Sequence, residues 1–320
     1  MEKIKTRNPW RPDLMTILYI AAIVKLAALP GAAYILFPEL GALAKDVFSR
    51  PRGNWALAPL LLVLTPSLAA VIGVLIAQHL AYGLISVLLA TATGIAVIVL
   101  LRSPIAPAIS AGLLPLAFDI HSWWYPPAIA LGTALLAGLS VLRRRYGQPP
   151  IQILAADLAD DIVELPPRRY RWLPFFVAFV AIDVSLGQAL GWRAVLVPPL
   201  VVTGFEMFAH AEVCPWAQRS LVLPLVCVLT AALGAASVAW LGTGPFAAAV
   251  AVAGGIAILA AFDLHVPPAI AIGLLPLLLE HPDYRYPLAV GLGAVVLTLS
   301  FRLYRFVLSA VNSRNAKMAR

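Results

Sequence analysis

Charge is what this chain has least of: Asp, Glu, Lys and Arg make up 12% of its 320 residues, against 62% hydrophobic. So few polar residues cannot cover that much apolar surface in water, which excludes a soluble domain and points to an all-α polytopic membrane protein with the lipid bilayer as its surroundings. Cysteine is nearly absent. Cys214 and Cys227 are the only two, too few for a disulfide framework or a cysteine-ligated metal centre. A Walker-type glycine loop, an HExxH pair and a G-x-S-x-G elbow are also missing, so no enzyme, no metal and no cofactor is expected. The first apolar stretch lacks a short h-region followed by a cleavage site and reads as a retained span.

Helix breakers, by contrast, are plentiful. With 27 prolines and 21 glycines, several segments must be interrupted and sealed by neighbouring protein rather than by lipid. The net charge of +8 lies mostly at the chain ends and in one central stretch, so it reads as a positive-inside signal and not as a nucleic-acid footprint. Both termini are expected on the cytoplasmic side of a bacterial inner or plasma membrane. A homo-oligomer is compatible with all of this.

The breakers recur. "IAPAISAGLLPLAFDIHSWWYPPAIALG" from Ile105 lies over "VPPAIAIGLLPLLLEHPDYRYPLAVGLG" from Val266, with Pro107, Gly112, Pro115, Tyr125 and Gly132 meeting Pro268, Gly273, Pro276, Tyr286 and Gly293. Further upstream, "KLAALPGAAYILFPE" is set over "RAVLVPPLVVTGFE" with one gap, which pairs Lys25 with Arg193 and Glu39 with Glu206. The expected organisation is a first membrane repeat over 1–145, a cytoplasmic linker with a short amphipathic helix over 146–171, a second repeat over 172–308 and a basic tail over 309–320. In the linker, Ile151, Leu154, Leu158, Ile162 and Leu165 share a face while Asp157, Asp160, Asp161 and Glu164 fall mostly elsewhere, the pattern of a solvated spacer helix on the membrane surface.

Each repeat is expected to hold about four full transmembrane helices and two short or broken segments. Whether the broken ones cross or re-enter, the number of crossings per repeat is even. The repeats are then parallel, related by an axis along the membrane normal. The fifth segment of the second repeat, 266–279, reaches about 21 Å as a helix against a hydrocarbon core of about 30 Å. It reads as a half-helix opened by Pro267 and Pro268, whose dipole end points inward toward a place for an anion.

Ionisable residues in membrane segments are costly and mark functional candidates. Glu39 and Glu206 are expected either to line a pathway or to pair structurally with Lys25 and Arg193. Arg102 and Asp263, aligned with each other at segment ends, read as an ion pair between the repeats. Asp119, His121, Glu280, His281, Asp283 and Arg285 read as solvated loop charges. Trp123, Trp124 and Tyr125, with Tyr284 and Tyr286, read as an interfacial aromatic belt. His265, at the mouth of the half-helix, reads either as a cap or as a contact for a permeant ion.

The segments "HVPPAIAIGLLP" and "PLVVTGFEMFAHAEVCPWAQRS" resemble the HPP family of integral membrane proteins. That family is named for a His-Pro-Pro motif leading into a small-residue and leucine segment, with an upstream stretch ending in an "AQPR"-like turn. Here Val266 separates His265 from Pro267 and Pro268, and the first repeat has no histidine at the matching place. The resemblance implies two fused domains of that type, a helical membrane protein, and nitrite transport as known for some members; His265, Pro267 and Pro268 match the named motif. Together these readings lead to an expected channel or secondary transporter for a small solute or ion, an inorganic anion such as nitrite being one candidate. A non-transporting scaffold or sensor is the alternative.

Overall fold

The computed structural model describes residues 10–146, 155–167, 170–279 and 283–318, with side chains described except at 155–158 and 311–318. Every described element is helical. The first half runs α1 (Trp10–Ala27), a 3-10 turn (Ala33–Ile35), α2 (Glu39–Ser49), α3 (Asn54–Leu57), α4 (Pro59–His79), α5 (Leu84–Leu101), α6 (Ala108–Ala117) and α7 (Tyr125–Tyr146). The linker holds α8 (Ala155–Val163). The second half runs α9 (Leu173–Leu190), a 3-10 turn (Arg193–Val195), α10 (Pro198–Ala209), α11 (Pro215–Gln218), α12 (Leu223–Leu241), α13 (Pro245–Ala261), α14 (Pro267–Leu274) with a 3-10 turn (Leu275–Leu278), and α15 (Arg285–Met318). α15 continues past 308, so the expected basic tail begins as helix.

Six described helices, α4, α5, α7, α9, α12 and α15, are long and apolar enough to cross a membrane. α1 is as long as α5 but carries Arg11, Asp13 and Lys25, and α13 has 17 residues. The protein is an all-α polytopic membrane protein. Its outward side chains fit that solvent, with Leu60, Ile85, Leu100, Trp240 and Phe246 all largely exposed.

Hydrogen bonds between element ends fix the direction of each pass. α1 begins beside the end of α2, where Lys45 pairs with Asp13. α6 begins where the Trp55 indole donates to the Pro104 carbonyl (2.8 Å), next to the start of α4, and ends where Gln78 at the far end of α4 donates to the His121 carbonyl (2.8 Å). The short α6 with its extended flanks therefore travels from one end of α4 to the other. It is no re-entrant loop. α7 returns to the first end, where Arg143 donates to the Phe48 carbonyl at the close of α2. In the second half Arg305 of α15 donates to the Ala211 carbonyl just past α10 (2.9 Å). A cation at a helix C-terminus satisfies a carbonyl that has no helical partner and opposes the negative dipole end.

The breakers explain themselves once the contacts are known. Pro115 lies inside α6 and has no N–H for the Ala111 carbonyl; the Tyr125 hydroxyl supplies the missing bond at 3.0 Å. Pro276 leaves the Ile272 carbonyl in the same position, and the Tyr286 hydroxyl donates to it at 2.5 Å. Buried away from water an unsatisfied carbonyl costs about 1–3 kcal/mol, so each proline needs its tyrosine. Both tyrosines are buried. They are not part of an aromatic belt, whereas Trp123, Trp124 and Tyr284 are exposed. Glycine pairs set the same crossing twice: a Cβ on Gly73 would lie 2.3 Å from the Gly112 carbonyl oxygen, and one on Gly234 would lie 2.0 Å from that of Gly273. Small residues let these backbones touch, as membrane helix packing requires where burial alone gives little drive.

The halves pack reciprocally: α1 against α13 and α9 against α5, α2 against α14 and α10 against α6. Their register differs from the sequence alignment upstream of α4. The 3-10 turn at Ala33–Ile35 corresponds to the one at Arg193–Val195. Gly132 of α7 packs on the Ile35 carbonyl as Gly293 of α15 packs on that of Val195. Pro38 then falls on Pro198, Leu40 on Leu200, Phe48 on Phe208, and Asp46, not Glu39, on Glu206.

Candidate functional site

One cleft gathers charge from three parts of the chain. It is lined by Asp46 and Arg50 from the end of α2, Glu206 from α10, His265, Pro267 and Pro268 at the start of α14, and Asp160, Val163 and Glu164 from the linker, with Trp55 and Trp216 as walls. Its free space is about 10 Å³ for the centre of a water-sized sphere, room for one water.

Arg50 is the hub. Asp46 and Arg50 stand one helical turn apart at the close of α2, and Nε donates to Asp46 Oδ1 at 2.6 Å. The two terminal nitrogens turn to the linker: Nη1 donates to Asp161 Oδ1 at 3.0 Å and Nη2 donates to Glu164 Oε1. Asn54 adds its side-chain amide to the Asp161 carbonyl (2.7 Å) and its backbone N–H to Asp161 Oδ1 (3.3 Å). His265 Nε2 lies 3.6 Å from Asp160 and 3.8 Å from Asp46, near both carboxylates without a hydrogen bond to either. Burial holds the Glu164 carboxyl well above the ordinary carboxylate range, the Asp46 charge adds to this, and Arg50 pulls the other way. Five carboxylates share this cleft with one guanidinium and one imidazole.

The linker is thus no solvated surface spacer. Val163, Asp160 and Glu164 are buried, and only Ile162 and Leu165 of its expected apolar face can be judged; both are exposed. The helical pattern was legible, but its wet and dry faces are reversed, because a buried arginine offers carboxylates a better partner than water offers.

Of the other expected residues, Glu206 lies at this cleft and Glu39 does not. Glu39 is the first residue of α2, about 15 Å of helix away from its close, buried and without a hydrogen-bond partner. Lys25 is exposed, and Arg193 is exposed over the Tyr82 ring at 5.2 Å, so the expected pairing with Glu39 and Glu206 is not seen among the described residues. Arg102 and Asp263 do not form a pair between halves. Both sit at left-handed helix ends, φ 49° and 47°, and the Asp263 carboxylate is 3.9 Å from Arg219. The turn they make, and not their charge, is what the two positions share. Asp119, His121, Asp283 and Arg285 are exposed, while Glu280 and His281 lie outside the described residues.

The start of α14 is drier than the half-helix reading expected. Four N–H groups lack helical partners at a helix start; Pro267 and Pro268 remove two, and the Ala269 N–H bonds the Val266 carbonyl at 3.0 Å. The proline pair makes a buried helix start tolerable. Donors for a ligand come instead from Arg50 and His265.

Sequence reasoning missed Asp46, Arg50 and Asp183. The first two were hidden by the upstream misalignment; anchoring on the shared P-x-L followed by an acid eight residues after the proline, Pro38 to Asp46 and Pro198 to Glu206, finds them. Asp183 stands in the middle of α9, fully buried and without a hydrogen-bond partner. Its signal was a lone acid in an apolar run. Compared with protein-family models, curated proteins and solved structures, the chain matches none.

Proposed function

We propose that this protein is a channel or secondary transporter that carries a small solute across a membrane, an inorganic anion such as nitrite in the finer reading. The observation that carries it is the buried Arg50 fork beside His265, at a cleft where α2, α10 and α14 of both halves meet. A planar anion suits a guanidinium fork, which offers parallel donors. Charge sets a condition on entry. Leaving the linker aside, Arg50 and His265 face Asp46 and Glu206, so the cleft carries no net positive charge and an anion enters together with protons. Anion movement is coupled to proton movement in the same direction. The parallel-repeat reading supports a pathway along the axis between the halves, and the family resemblance agrees with the substrate. No catalytic role belongs to this reading.

A second reading, a proton or cation pathway, is favoured by one observation, the excess of carboxylates over cations in the cleft. Purified protein in liposomes separates the two. Nitrite flux above empty liposomes, accompanied by proton uptake, supports the anion reading; potassium or proton flux that nitrite does not accelerate replaces it with the second. No flux of nitrite, nitrate, chloride, potassium or protons above empty liposomes leaves a scaffold or sensor.

A further inference from the structure

We infer that the linker helix α8, with Glu164 just past its end, is an internal ligand of the charged cleft, one that closes it by seating Asp161 and Glu164 on Arg50 in the place of a small carboxylate or oxyanion. The inference rests on the reading of the cleft as the solute's seat and adds to it what controls that seat.

Arg50 divides its donors by origin. Nε serves Asp46 of its own helix, while Nη1 and Nη2 serve Asp161 and Glu164 of a segment that belongs to neither half. Two carboxylate oxygens thus already occupy the guanidinium edge that a planar anion would use. The docking is specific in backbone as well as charge, since Asn54 holds both the carbonyl and the carboxylate of Asp161. With Asp160 and Glu164 in place the cleft keeps room for one water, so solute and α8 exclude each other.

The docked state is also poised to release. Asp160, Asp161 and Glu164 bring three carboxylates to a cleft that already holds Asp46 and Glu206. Like charges at close quarters in a buried setting oppose one another. A free monovalent anion would satisfy the same guanidinium edge with less negative charge. Competition between the two is then the expected behaviour: the solute displaces α8 and opens its own route.

The test uses the full chain in liposomes. A cysteine pair, Asn54→Cys with Asp161→Cys, locks α8 when oxidised and frees it when reduced; the native Cys214 and Cys227 are buried and do not interfere. In a second protein, a fluorescent label on Ile162→Cys, an exposed position of α8, reports docking directly. Oxidation should lower nitrite or formate flux by at least about fivefold, reversed by reductant, and Asp161→Asn, which removes the charge that accepts from Arg50 Nη1, should raise it by a similar factor, the usual size of a coupling between sites. Formate or nitrite should shift the label's signal, and Arg50→Lys should blunt that shift. Equal flux in the locked and reduced proteins overturns the gate while leaving transport standing. A label shift with no flux in any state keeps the internal ligand and removes transport; no flux and no shift overturns both.

Discussion

The two halves share a skeleton and differ in charge. Pro115 with Tyr125 repeats as Pro276 with Tyr286, and Gly73 on Gly112 repeats as Gly234 on Gly273. At the ends of α2 and α10, where register is also shared, the acid is kept and the base is not: Asp46 is followed one turn later by Arg50, whereas Glu206 is followed by His210. Arg50 is a permanent cation and holds two linker carboxylates. His210, near the backbone of Leu165, is pushed by burial toward its neutral form. Backbone contacts recur between the halves, while the charges beside them differ: a guanidinium holding two linker carboxylates at one helix end and an imidazole at the other.

Breaking the charge difference should have the largest effect. Arg50→Gln strands Asp46 and Glu164 in a buried setting, and the expected loss is about 3–5 kcal/mol; His210→Gln should cost about 1 kcal/mol. Denaturant unfolding in detergent compares them. Equal losses would mean that the two ends are not different in kind.

The shared skeleton makes a symmetric prediction of smaller size. Gly73→Ala and Gly234→Ala each force a methyl against a carbonyl and should each cost about 1–3 kcal/mol, whereas Gly138→Ala, with open space around it, should fall within about 0.5 kcal/mol of the native chain. Tyr125→Phe and Tyr286→Phe each orphan one proline-freed carbonyl, at about 1–2 kcal/mol apiece. Thermal melting of the matched pairs reads this out. A large loss in one half with none in the other would break the shared-skeleton comparison.

The finest effect is on pH. Because the docked Glu164 carboxyl is raised, the docked helix holds its proton more tightly than a free linker does. That contribution to docking is complete below about pH 4, the range of a free carboxyl, and is lost as pH rises through the raised value. Label release from α8 should therefore grow as pH rises, and Glu164→Gln should flatten the dependence.

Much of the architecture was legible because its signals are local. Proline and glycine act on the backbone where they stand, so their recurrence marked broken helices, and run lengths marked the long ones. Even there a limit shows. Tyr125 and Tyr286 read as interfacial because aromatic residues near segment ends usually are, and only the proline ten residues earlier, whose freed carbonyl lies fourteen residues from the tyrosine, explains why they are buried.

The site was less legible, since it is made by segments far apart in the chain. His265, Pro267, Pro268 and Glu206 line the charged cleft; Glu39, Lys25 and Arg193, read with them as pathway candidates, and Arg102 and Asp263, read as a structural ion pair, lie elsewhere. Charge scarcity, the number and length of apolar runs and the spacing of breakers determined that this chain is an all-helical membrane protein with interrupted segments. Only the tertiary structure decided which charges meet, because a buried ion's partner is chosen by distance and not by position in the chain. That choice put a linker, which reads as a spacer, onto Arg50 in the centre of the charged cleft.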